Sequence, residues 1–202
     1  MRIACLSAWP QHVDALAAAH VAAFGALEPG WDAAAAAAEL RAHRADGLPA
    51  TLLALDRAGG WLGSVSLLHE DHPQIRQYTP WLASLYVQPQ ARAEGLGARL
   101  VGQAVARAAE LGHPWLHLYC TDDLRGYYAR LGWDVCDRGD LGMLQVWVMR
   151  VACAVPDLHS GVDAASRPVA RIGARAGAGA LPPPAGRDHG QGDVHPGSGD
   201  IG

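Results

Sequence analysis

Apolar positions along the chain change period several times, and each change marks an element. Val13, Leu16, Ala17, His20, Val21 and Phe24 recur at helical spacing, with Gly25 as a natural stop. Asp32 is placed to cap a second helix, which runs through an alanine tract to His43. Ahead of both, residues 2–6 read as a short strand. Strands are expected at 51–55 and 61–68, joined by a hairpin turn over Arg57, Ala58, Gly59 and Gly60. A strand at 81–87, a helix at 95–111 ending at Gly112, a strand at 115–120 and a short helix at 122–131 stopped by Gly132 follow. Strands at 133–137 and 144–151 close the series, giving the order β-αα-βββ-α-β-α-ββ without an internal repeat.

That patterning stops near residue 153. All thirteen aromatic residues lie at or before Trp147, and from 155 to 202 the chain carries 10 glycines and 6 prolines. Such a stretch buries too little apolar surface to offset the entropy of ordering it. The reading is a folded domain over residues 1–153 and a Gly/Pro/Ala-rich, disordered tail over 154–202.

Composition narrows the chemistry. The chain has 202 residues and a formal charge of −4, which argues against a dedicated nucleic-acid-binding domain. Hydrophobic residues make up 50% of it, but 39 residues are alanine, so the larger apolar side chains are fewer than that figure suggests. All 16 Lys+Arg positions are arginine, and there is no lysine or asparagine, which removes P-loop lysine chemistry, Schiff bases and N-glycosylation. Cys5, Cys120, Cys136 and Cys153 are too scattered for a disulfide framework or a zinc site. Pro10, Gln11, His12, Asp14 and His20 interrupt the apolar start, and no apolar run is long enough to span a membrane. A soluble, cytoplasmic protein is expected, with no metal, nucleic-acid or membrane partner.

The most informative segment runs from Leu85-Tyr86-Val87 through Pro89 to Arg92-Ala93-Glu94-Gly95-Leu96-Gly97-Ala98. A strand ends, a proline breaks it, and two glycines lead into a helix. Glycines let a ligand approach the backbone, while first-turn N–H groups and the helix dipole favour an anion. A Rossmann dinucleotide site does not fit, because Ala98 and Leu100 follow Gly97 and the next strand ends in Tyr119-Cys120 without an acid. A second block, Thr121 to Trp133, contains Tyr127-Tyr128-Ala-Arg-Leu-Gly-Trp about 30 residues after the first and enters a strand.

With these two blocks in this element order, residues 2–151 resemble the GNAT superfamily of acyl-CoA-dependent N-acetyltransferases. The resemblance implies an α/β (α+β) fold: a mixed, mostly antiparallel central sheet, splayed between strands 4 and 5 and flanked by helices. It implies acetyl-CoA as co-substrate, held in that gap. By the same resemblance Leu85, Tyr86 and Val87 pair with the pantetheine, and Arg92, Ala93, Glu94, Gly95, Leu96, Gly97 and Ala98 form the pyrophosphate loop. Thr121 stands where many members carry a CoA-contacting asparagine, and it also suits a helix N-cap. Tyr128 matches the tyrosine that protonates the departing thiolate, and a phenol keeps its proton at neutral pH.

The acceptor amine must lose a proton before attack. His69, Glu70, Asp71, His72 and His117 are the candidates to take it, and Glu70 is singled out as catalytic beside Tyr128. The expected activity is direct acetyl transfer to a primary amine, on a small molecule or a peptide N-terminus, by a monomer or homodimer. The alternatives are attack through Cys120 and a non-catalytic acyl-CoA-binding module of the same fold.

Overall fold

The computed structural model describes residues 1–27, 30–142 and 144–153, so the expected tail at 154–202 lies outside the described residues. In chain order the elements are β1 (Arg2–Cys5), α1 (Val13–Phe24), α2 (Ala33–Ala42), β2 (Ala50–Leu55), β3 (Trp61–Leu68), β4 (Trp81–Val87), α3 (Leu96–Glu110), β5 (Trp115–Cys120), α4 (Asp122–Arg130), β6 (Asp134–Asp140) and β7 (Gln145–Ala152), with short 3-10 turns between some of them. The strands form one sheet in the order β1-β2-β3-β4-β5-β7-β6. All neighbouring pairs are antiparallel except β4 with β5.

Burial explains the layering. Every residue of β2 is buried, and alternate side chains go to opposite faces. Leu52 and Ala54 join Leu100, Val101, Ala104 and Ala108 of α3, together with Val65, Leu67, Leu82, Leu116, Leu118 and Met149. Leu53 and Leu55 pack instead with Leu16 and Ala17 of α1 and Ala36, Ala37 and Leu40 of α2. Alanine at these contacts lets two helices share one face. The Asp32 carboxylate caps α2 as expected, accepting from the N–H groups of Ala34 and Ala35 at 2.9 and 2.8 Å.

The sheet opens where the resemblance implies. β4 and β5 pair only at Trp81 and His117, where the His117 N–H donates to the Pro80 carbonyl at 3.0 Å. Beyond that point β5 stays with β7 through to Cys120 opposite Trp147. The cause lies in β4. Ser64 faces Tyr86 and Ser66 faces Ala83, so Ser84 and Leu85 both stand opposite Val65, and Ser84 has φ 50°. A bulge of this kind bends its strand away from the regular twist.

Element boundaries move by a residue or two from the sequence reading, with one larger change. β6 runs to Asp140 because its pairing with β7 continues to Asp140 opposite Gln145. Its outer half is largely polar, and an edge strand of that composition carries no apolar signal. No cysteine is in a disulfide. Among the described residues no helix is long and apolar enough to cross a membrane, and no cluster of metal-ligating side chains occurs.

Candidate active site

The loop after β4 is a backbone device. Residue 93 has φ 68° and Gly95, the N-cap of α3, has φ 71°. Nothing lies within 4 Å of a Cβ added at Gly95, so glycine is needed there for its dihedral and not for space. Ala93 adopts the same left-handed region with a side chain, at a cost of about 1 kcal/mol. The first regular bond of α3 is Arg99 N–H to the Gly95 carbonyl at 3.1 Å. The N–H groups of Leu96, Gly97 and Ala98 therefore have no acceptor within the helix, and no acidic side chain occupies its first turn. Such a helix start, directly after β4, is a backbone cradle that suits an anion.

Arg92 does not reach into that cradle. Its Nε donates to the Val87 carbonyl at 3.0 Å and ties the loop to the strand end. Glu94 is exposed, so its carboxylate is solvated rather than set against an anion. Leu85 packs on the α3 layer, while the Tyr86 ring on the other face lies 6.3 Å from His20 and 5.9 Å from Trp61. Because β5 has diverged, the backbone of Leu85 to Val87 has a paired strand on the β3 side only.

Helix α4 supplies the hydroxyls. Thr121 occupies the N-cap position, but its side chain caps nothing, which leaves its hydroxyl available. Tyr127 is half-buried, and its hydroxyl lies 3.0 Å from where a Cβ on Gly97 would stand. Tyr128 is 7% exposed, its ring 5.1 Å from Tyr127 and 6.1 Å from Trp133. Burial pushes its phenol well above the ordinary value, with smaller contributions from Tyr127 and Cys120. Among the described residues the Tyr128 hydroxyl has no hydrogen-bond partner. Among the described residues the polar atoms sealed from solvent without a partner are Arg107 Nε and Trp133 Nε1.

The acid–base candidates separate by position. Glu70 follows the end of β3 with its carboxylate exposed and 3.4 Å from Arg76 Nε. His72 lies edge-on to Tyr119, with ring centres 6.5 Å apart. His117 is 8% exposed, its ring 5.0 Å from Tyr78, and burial lowers its basicity. Trp81 is fully buried with Nε1 donating to the Tyr78 carbonyl at 2.8 Å, which makes it part of the junction. Cys120 is a poor nucleophile: burial raises its thiol to about 11, and its Sγ lies 3.8 Å from Met149 Sδ.

The sequence reading missed a buried polar layer between the sheet and the α1/α2 face. His20 Nε2 is 2.9 Å from Ser64 Oγ, His43 Nδ1 is 2.7 Å from Thr51 Oγ1, and Thr51 Oγ1 is 2.8 Å from Ser66 Oγ. Its signal was in the chain: Ser64 and Ser66 are polar at alternate positions of an apolar strand, and His20 interrupts an apolar helical stripe.

The sheet is thus opened at one parallel strand pair, and a glycine-led helix follows the strand that leaves it. The chain belongs to the GNAT acetyltransferase family, whose model, described as Acetyltransferase (GNAT) family, matches residues 14–133. No curated protein matches the chain in sequence. Among solved structures it resembles yncA from Salmonella typhimurium with its cofactor acetyl-CoA, at 19% identity and TM-score 0.59, covering 82% of this chain and 99% of that one. It also resembles an aminoglycoside 6'-acetyltransferase type Ii, at 19% identity and TM-score 0.57, covering 76% and 97%. A third likeness is to mutant forms of the spermidine/spermine N-acetyltransferase SpeG from Vibrio cholerae, at 12% identity and TM-score 0.54, covering 75% and 93%.

Proposed function

We propose that the domain transfers an acetyl group from acetyl-CoA to a primary amine in one step, without a covalent enzyme intermediate. One observation carries the reading: the sheet opens at the β4–β5 pair, β4 runs into a helix start whose free N–H groups suit an anion, and burial keeps the Tyr128 phenol protonated. Acetyl-CoA fits these residues. Its pyrophosphate suits the free N–H groups of Leu96, Gly97 and Ala98, its pantetheine suits the one-sided strand Leu85 to Val87, and Thr121 offers a hydroxyl on the facing helix. Bound there, it supplies a thioester carbonyl for attack and a thiolate as leaving group.

Tyr128 keeps its proton because a phenolate is poorly solvated at that depth. The same dry setting raises the basicity of a thiolate formed beside it, so the phenol donates as the sulfur departs. Glu70, exposed and paired with Arg76 just beyond the end of β3, is the residue assigned to take the amine's proton. The solved relatives named as aminoglycoside and spermidine/spermine acetyltransferases support an amine acceptor.

Calorimetry with acetyl-CoA and a free-thiol assay across a panel of aminoglycosides, polyamines, small amines and peptides test the reading. Binding and amine-dependent thiol release are expected, with Glu70→Gln lowering kcat/KM. Binding without release on any amine favours the non-catalytic module, and no binding of any acyl-CoA removes both.

A further inference from the structure

Tyr127 stands beside Tyr128 in α4, and the acetyl-transfer reading gives it no task. It is half-buried, with its ring 5.1 Å from that of Tyr128 and packed against the core layer that holds α3. Packing asks only for the ring, which a phenylalanine would supply. The chain carries a hydroxyl there instead, and among the described residues that hydroxyl has no hydrogen-bond partner.

Its place is marked by a glycine of another element. Gly97 is the second residue of α3, where alanine would be the better helix former. Its backbone does not enter the left-handed region, so no dihedral calls for glycine. Space does. A Cβ at Gly97 would stand 3.0 Å from the Tyr127 hydroxyl, closer than side chains ordinarily meet, and 3.9 Å from Val87 Cγ2. The hydroxyl therefore lies against the first turn of α3, close to where β4 ends.

That side of the turn is the one with free donors. A helical Cα–Cβ bond tilts toward the helix N-terminus, and the first N–H groups point the same way. Gly97 carries one of the three N–H groups, with Leu96 and Ala98, that have no acceptor within the helix. The loop's own side chains add nothing to them, since Arg92 Nε is bound to the Val87 carbonyl and Glu94 is exposed. Tyr127 is thus a side-chain donor brought from α4 to a group of backbone donors. Burial keeps its phenol protonated at neutral pH, and the charge that acts on it is the cation of Arg130. A donor without an acceptor, beside free N–H groups and a cation, suits an anion.

We propose that Tyr127 is a cofactor-binding residue, whose hydroxyl donates to the pyrophosphate of acetyl-CoA at the start of α3, and that Gly97 is glycine to leave the hydroxyl that place. The proposal rests on the acetyl-transfer reading above. It gives the first tyrosine of the pair a task separate from the thiolate protonation assigned to Tyr128.

The two residues are coupled. Gly97→Ala puts a methyl group against the hydroxyl, and the neighbouring ring must give way. Tyr127→Phe removes the oxygen and opens the space that the methyl group needs. Once the hydroxyl is gone, the methyl group has nothing left to displace, so the two losses do not add.

Calorimetry with acetyl-CoA, and kcat/KM with acetyl-CoA and with S-acetylpantetheine, test the proposal. S-acetylpantetheine carries the thioester without the pyrophosphate. Tyr127→Phe is expected to weaken acetyl-CoA binding about 10-fold, the lower end of what a hydrogen bond to a charged group contributes. Its kcat/KM for acetyl-CoA is expected to fall in step, while that for S-acetylpantetheine falls less than about twofold. Gly97→Ala is expected to weaken acetyl-CoA binding by a similar factor, and to add less than about twofold in the Tyr127→Phe background. If Tyr127→Phe does not fold, Gly97→Ala carries the comparison of the two thioesters. Equal losses on both thioesters, acetyl-CoA affinity within about twofold of wild type, or additive losses in the double variant overturn the proposal and leave acetyl transfer standing. A wild type that binds no acyl-CoA overturns the acetyl-transfer reading, and this proposal with it.

Discussion

Tyr128→Phe separates the chemistry of Tyr128 from its packing. The ring lies in the core against Tyr127 and Trp133, and phenylalanine keeps it there. The hydroxyl has no partner among the described residues, so its removal breaks no hydrogen bond among them and strands no donor there. Folding stability should therefore stay within about 0.5 kcal/mol of wild type, a shift in Tm of about 2 °C. Catalysis should respond very differently. A positioned general acid contributes about 10²- to 10⁴-fold, or about 3–5 kcal/mol at 1.36 kcal/mol per decade. Thiol release under saturating acetyl-CoA gives kcat, calorimetry gives cofactor affinity, and thermal unfolding gives Tm. The expected result is a fall in kcat with affinity and Tm unchanged. Thioesters of more acidic thiols should lose less, since their thiolates need a proton less. A Tyr128→Phe enzyme with kcat within about threefold of wild type would refute the assignment and make Tyr128 a packing residue.

Other consequences can be measured alongside. Gly95→Ala places a side chain at φ 71° in open space, so strain of about 1 kcal/mol and weaker acetyl-CoA binding are expected, readable by calorimetry. His20 is 2% exposed, and its folded value of about 4 lies below the ordinary 6.5. The unfolded chain therefore binds the proton first, and the stability from burying neutral His20 is complete above pH 6.5 and lost as pH falls toward 4. That loss is about 3 kcal/mol across the window, and urea unfolding from pH 7 to 4 should show a shallower slope in His20→Gln. Asp32→Ala removes two cap bonds from α2 and should cost about 1 kcal/mol, seen as a Tm lower by a few degrees with kcat unchanged.

Apolar period, turn residues and caps are local, and those parts of the protein could be read from the chain. Helical spacing at Val13 to Phe24, the Asp32 cap, the glycine-led start of α3 and the Tyr127-Tyr128 block led to the element order and the family. The orientation of Arg92 toward Val87 and of Glu94 toward solvent was not legible, because a loop's side chains turn toward whatever the fold brings near. Nor was the buried layer, since His20, His43, Thr51, Ser64 and Ser66 come from four elements and meet only when two helices close on one face of the sheet. Ser84 carries no turn signal, yet its bulge sits beside the place where β4 leaves β5. By itself the sequence determined which segments pair with water and which with the core, because that depends on each residue and its near neighbours. Which polar groups would be buried together, and how deeply the Tyr128 phenol would be buried, depended on contacts between residues far apart in the chain, and only the tertiary structure decided them.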